Sequence, residues 1–134
     1  MAEDQVSFEL VSPEKLLVSQ PVEMVVVPGE EGDFGVLPRH APMISKVRPG
    51  LIQIYQGGQV QESIFVAGGF AEVTPARCTV LAEEAVPLGE IDRGTVEKEL
   101  KDLRDDLLDA TEADRGQIEQ KIAVAETKIK LTAN

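Results

Sequence analysis

A chain of 134 residues has room for one ordinary domain, or for a domain of about 90 residues with a small appendage. Its net charge of -11 opposes phosphate backbones and anionic lipid surfaces, which argues against nucleic acid as a partner. Hydrophobic residues at 43% argue against wholesale disorder, and aromatics at 4% without tryptophan leave the core to Val, Ile, Leu and Ala, while a lone cysteine, Cys78, excludes an intramolecular disulfide framework.

The first ten residues, MAEDQVSFEL, carry early acids and neither a basic segment nor a long apolar run, so no transit peptide is expected. From Val6, the alternation Val-Ser-Phe-Glu-Leu predicts a half-buried strand that stops at Ser12-Pro13. Residues 23–27, Glu-Met-Val-Val-Val, form a continuous β-favouring run and predict a strand buried on both sides. Residues 28–50 hold four of the eight prolines, four of the eleven glycines and the only histidine. Gly29, Gly32 and Gly35 suit a backbone that visits positive φ, and Pro38, Pro42 and Pro49 forbid a helix, so a rigid, exposed, acid-tipped loop is expected.

After this stretch, Leu51-Ile-Gln-Ile-Tyr55, the pair Gly57-Gly58 and residues 60–66 predict a hairpin, and residues 70–73 and 79–81 add two strands around Thr74-Pro75-Ala76. Cys78 falls in an apolar run and is expected to be buried. Strands at this spacing without helices between them predict an antiparallel β-sandwich of about 8–10 strands, ending near Pro87. Beyond Pro87 the period changes. Val96, Leu100, Leu103, Leu107 and Ala110 recur at helical spacing after the N-cap candidate Asp92, and Ile118, Ile122, Ala125 and Ile129 repeat it after the capping signal at residues 111–114. The fold class is therefore α+β, with a sandwich over residues 1–87 and an antiparallel helical hairpin over 88–134. The first 89 residues carry net -7 and the remainder -4.

Enzymatic chemistry finds no constellation. Gly29-x-x-Gly32-x-x-Gly35 lacks a following helix and the Lys-Ser/Thr pair of a phosphate loop, and His40 with Cys78 gives neither a zinc ligand set nor a complete nucleophilic triad. No metal, no cofactor and no catalytic residue are expected.

The pattern P-G-x-x-G-x-x-G-x-L-P-x-H-x-P from Pro28 to Pro42, the segment Val66-Ala-Gly-Gly-Phe-Ala-Glu-Val73 and the tail opening at Asp92 resemble the epsilon subunit of F-type rotary ATP synthases, called delta in mitochondria. The resemblance implies a non-catalytic rotor component that couples rotation of the membrane ring to ATP synthesis. It implies that Glu30, Glu31 and Asp33 face the c subunits of the rotor ring, and that Ser12, His40 and Ser45 contact the gamma shaft. It also implies a regulatory role for the helices, through the catalytic alpha and beta subunits. Nucleotide-binding members open the first helix with Ile/Leu-Asp-x-x-Arg-Ala and place another arginine seven residues on. Here Ile91 and Asp92 match, but Thr95, Val96 and Asp102 stand where the arginines and alanine would, so no nucleotide site is expected. The implied location is peripheral, on the cytoplasmic side of a bacterial inner membrane. A reading of another class, an acidic soluble adaptor that recruits a helix through its hairpin, fits the same composition.

Overall fold

A computed structural model describes residues 4–132. The chain divides into two compact units that meet in sequence between Leu88 and Gly89.

The first unit has eight strands: β1 (Val6–Val11), β2 (Leu16–Val22), β3 (Met24–Gly29), β4 (Gly32–Val36), β5 (Met43–Lys46), β6 (Gly50–Gln56), β7 (Gln59–Val73) and β8 (Arg77–Pro87). They are ordered β2-β1-β8-β7-β6-β3-β4, with β5 also paired to β7. The long strands β7 and β8 make this sheet a sandwich. Residues 59–66 of β7 pair with β6, whereas residues 70–73 pair with β5. In β8, residues 77–81 lie beside β1 and residues 84–87 beside the first half of β7.

The change of layer falls at Gly68-Gly69, where φ is 75° and 102°. A Cβ on Gly69 would overlap the Leu81 carbonyl oxygen, so only glycine fits this crossing. The layers enclose one core that includes Phe8 and Leu10 of β1, Val25 and Val27 of β3, Ile52 and Ile54 of β6, Val66 and Val73 of β7, and Cys78 and Val80 of β8. Gln56 Nε2 donates to the Pro21 carbonyl at 2.9 Å and ties β2 to the opposite layer.

The sandwich followed by a helical hairpin agrees with the sequence reading, with three corrections. β1 and β8 run parallel within an otherwise antiparallel sheet. β3 is not buried on both sides: Val25 and Val27 face the core while Met24 and Val26 are half-buried, because this layer has one wet face. Residues 28–50 are not a loop, since they contain the end of β3 and all of β4 and β5. Of Gly29, Gly32 and Gly35 only Gly32 has a positive φ, 138°. Gly29 is required by proximity instead, as a Cβ there would lie 2.9 Å from the Phe34 ring.

The second unit begins with a 3-10 turn at Leu88–Glu90 and continues as α1 (Arg93–Leu108) and α2 (Glu112–Thr132). Asp92 caps α1, its carboxylate accepting from the Gly94 N–H at 3.1 Å and the Thr95 hydroxyl at 2.8 Å. The Thr111 carbonyl accepts the N–H groups of Asp114 and Arg115 at the start of α2. Val96, Leu100 and Ala125 form the centre of the helical cluster, with Ile91, Leu103, Ile122 and Ile129 packed around it. Leu107 and Ile118 remain half-buried outside it, so the apolar seam closes over only part of the hairpin's length.

Candidate functional site

The acidic residues 30, 31 and 33 sit on an arm. β3 pairs with β6 only through Met24, Val25 and Val26. Past Val26 it pairs with β4 as Val27 to Phe34, Pro28 to Asp33 and Gly29 to Gly32, leaving Glu30 and Glu31 as an exposed two-residue tip. The other edge of the arm is stitched to the segment after β5. The Glu30 N–H donates to the Lys46 carbonyl at 2.9 Å, Gly29 bridges Val47, and the Arg48 N–H donates to the Pro28 carbonyl at 2.9 Å. The Arg48 guanidinium reaches both strands, donating to the Gly29 carbonyl at 2.7 Å and to Asp33 Oδ1 at 2.6 Å.

Beyond β4 the chain turns through Arg39, which adopts φ 68° and donates its N–H to the Pro75 carbonyl at 2.8 Å. His40 Nδ1 lies 2.7 Å from the Ala41 carbonyl, and since a carbonyl only accepts, Nδ1 carries the proton. Ser45 lies on β5 opposite Ala71, its hydroxyl donating to the Lys46 carbonyl at 3.0 Å. Ser12 closes the β1–β2 turn, its hydroxyl 3.4 Å from the Lys15 carbonyl. These three residues do not converge. Ser12 follows the Val11 end of β1, whereas His40 adjoins the residue bonded to the β7–β8 turn, near which β1 starts through the Ser7 N–H bond to Ala76.

Sequence reasoning missed the outer surface of the layer containing β1. Leu16, Val11, Leu81, Phe70 and Lys46 are register partners across β2, β1, β8, β7 and β5. Exposure is 57% at Leu16, 55% at Leu81 and 50% at Phe70, and Ile44, two residues before Lys46 on β5, reaches 70%. The row ends at an open groove of about 570 Å³ where the acids of the arm face Ile44, Lys46 and Phe70. Exposed apolar side chains aligned beside charge mark a binding surface, whereas such residues scattered singly would not.

Bond-making chemistry has little here to work with. Burial pushes the Cys78 thiol up to about 12, so the reactive thiolate is suppressed. At the degenerate motif of Ile91 and Asp92, the hydrogen bond from the Thr95 hydroxyl is the largest influence on the Asp92 carboxyl, and together with those from the Gly94 and Thr95 backbone it outweighs the opposing desolvation and holds the group below its usual range. That carboxylate is engaged as a helix cap.

Residues 5–88 match the family described as ATP synthase, Delta/Epsilon chain, beta-sandwich domain, and residues 92–134 match the family of the C-terminal domain of the ATP synthase epsilon subunit. The chain belongs to the ATP synthase epsilon family. An ATP synthase epsilon chain of Rhodospirillum centenum is 56% identical over 137 aligned positions, covering 98% of this chain and 94% of the relative. One from Rhodospirillum rubrum is 59% identical over 120, covering 89% and 90%. Among solved structures, a chain of the Euglena gracilis mitochondrial ATP synthase, described as OSCP/F1/c-ring in rotational state 1, matches with a TM-score of 0.83 and 29% identity, over 96% of this chain and 82% of that one. A chain from the Tetrahymena thermophila central stalk and c-ring shares the fold at a TM-score of 0.63 and 14% identity. The resemblance read from residues 28–42 and 66–73 is borne out, and the epsilon family is a non-catalytic one. The reading as an unrelated acidic adaptor is not favoured.

Proposed function

We propose that this epsilon chain is a central-stalk subunit of a proton-translocating F-type ATP synthase, bound to the gamma shaft through the outer layer of its sandwich and standing on the c subunits of the rotor ring with its acidic arm. It transmits rotation and makes or breaks no bond. The observation that carries this reading is the apolar row Leu16–Leu81–Phe70–Ile44 running up to the arm, because it supplies two chemically different docking surfaces side by side. Apolar contact suits a permanent grip on a shaft. The exposed carboxylates of Glu30 and Glu31 suit polar and cationic groups of a ring surface.

In this reading the gamma contact extends from the apolar row to Ser12 and His40 and to the edge strand β5 at Ser45, whose register partner Ala71 faces the core. In this reading residues 1–87 do the binding. In the same reading residues 88–134 form a folded hairpin whose exposed acids would oppose docking on any acidic surface of the catalytic alpha and beta subunits. No described helix is long and apolar enough to cross a membrane. In this reading the chain is held at the cytoplasmic face of the inner membrane through the complex.

The test is charge reversal of the arm tip, Glu30→Lys with Glu31→Lys, in the assembled complex. Proton pumping per ATP hydrolysed should fall, whereas unchanged pumping in a complex that retains the variant sinks the assignment of the arm to the ring.

A further inference from the structure

The arm has a weak point in its construction. Its base is held, since Val27 lies in the core and Phe34 packs against it, but residues 30–33 are exposed beyond the β6 ladder, and a two-stranded end has little stability of its own in water. Its tip must nonetheless hold a fixed direction to meet a surface, because a swinging tip would lose conformational entropy on every docking. Backbone bonds from Lys46, Val47 and Arg48 fix only the β3 edge, at Pro28, Gly29 and Glu30. The Arg48 side chain alone of these joins the strands, with one nitrogen on the Gly29 carbonyl of β3 and the other on Asp33 of β4. A guanidinium presents these donors in a rigid planar fork, which a lysine ammonium does not.

We propose that Arg48 is a positioning residue that aims Glu30 and Glu31, and that Asp33 acts through it rather than by touching the partner. This rests on the reading of the arm as a ring contact. Paired at 2.6 Å, Arg48 and Asp33 cancel one another's charge, so the tip's net field comes from Glu30 and Glu31 with Lys46 behind them. The pair is partly exposed, with side-chain exposure of 40% and 58%, so its contribution lies in direction and local order, not in global stability.

The experiment combines amide hydrogen exchange on the full chain with pumping by the assembled complex. Arg48→Gln should speed exchange at Glu30, Glu31 and Gly32 about tenfold while the core amides stay protected, and should lower pumping per ATP. Arg48→Lys should fall between the two on both measures. Asp33→Asn combined with Arg48→Gln should pump no worse than Arg48→Gln alone, since both changes remove one clamp. Unchanged exchange in Arg48→Gln overturns the clamp. Faster exchange with normal pumping overturns the positioning role when the Glu30→Lys, Glu31→Lys complex is uncoupled, and additive losses return Asp33 to direct contact. If the reversed tip itself pumps normally, the ring reading falls and positioning for the ring falls with it, while exchange still judges the clamp.

Discussion

Phe70 offers the most direct measure of the gamma-binding surface, because it can be cut back without opening the core. Its ring is half exposed at the centre of the outer row, between Leu81 and Lys46. An aromatic side chain buries about 200 Å² when fully covered, so about 100 Å² remains for a partner to cover. At about 25 cal/mol per Å² that surface is worth at most about 2.5 kcal/mol. Ordering at the interface and the residual cover offered by alanine lower the expected loss for Phe70→Ala to about 1–2 kcal/mol, or about a 5- to 30-fold rise in Kd for gamma. Calorimetric titration of gamma with the variant measures this, with the circular dichroism melt checking that the fold is unchanged. Val60→Ala, an exposed apolar truncation on the half of β7 that pairs with β6, is the control and should leave Kd unaltered. A Kd for Phe70→Ala within about twofold of wild type would refute the assignment of this face, since hot-spot side chains at an interface centre cost more than that.

The layer crossing predicts that Gly69→Ala destabilises the sandwich by about 3 kcal/mol or more in urea unfolding, whereas Gly57→Ala, at φ 64° but with open space around it, costs about 1 kcal/mol; equal effects would mean that the clash with Leu81 is relieved. A protein truncated after Glu90 keeps the full sandwich core and should retain its strand circular dichroism, and in the complex it should change ATP hydrolysis by less than about twofold, because the missing tail is acidic. The lowered Asp92 carboxyl supports α1 at neutral pH, and this support should be lost as pH falls through that depressed value; Asp92→Asn should remove its share of the acid-range loss of helicity and leave a smaller loss from the other helix carboxylates, while Mg-ATP gives no micromolar binding heat with the wild-type protein.

What the sequence made legible was the part of the fold written in periodicity. β1 alternates strictly, β6 and the first half of β7 flank a Gly-Gly turn, and both helices carry stripes and caps, so each was readable without its neighbours. β2, β4 and β5 were not. Pro21 within β2 is tolerated because the strand lies at the edge of the sheet. β4 is Gly-Asp-Phe-Gly-Val and β5 only four residues, so each becomes a strand because a partner is already in place to accept it. Residues 60–66 and 70–73 read as separate strands because Gly68-Gly69 looks like a turn, yet here it bends one strand between layers. The docking surface was hidden for a related reason. Phe70 and Leu81 look like core residues in sequence, and only the register that turns Ala71 and Val80 inward shows that they face out. The Arg48–Asp33 pair, fifteen positions apart, likewise follows from pairing that no local pattern encodes.

The two units differ in how firmly they are held, and that difference bears on the tail. The sandwich encloses a continuous core of seventeen buried residues, whereas the helical pair is centred on three, with Leu107 and Ile118 left outside the seam. Arg104 and Glu126 add an interhelical ion pair at 3.0 Å, but both side chains are more than half exposed and such a pair contributes at most about 1 kcal/mol. Packing within the hairpin therefore sets only a low barrier to opening, and local unfolding there costs less than in the sandwich. Charge is the stronger constraint. Asp102, Asp105 and Asp106 of α1 and Asp109 at its C-terminal end are all exposed, so an opened tail would present carboxylates to whatever surface it met. An acidic target repels that face even when the helices are free to move, while a folded hairpin leaves the same acids solvated at no cost. Against an acidic target, the four exposed aspartates would therefore weigh more in keeping the tail folded than the grip of its apolar seam.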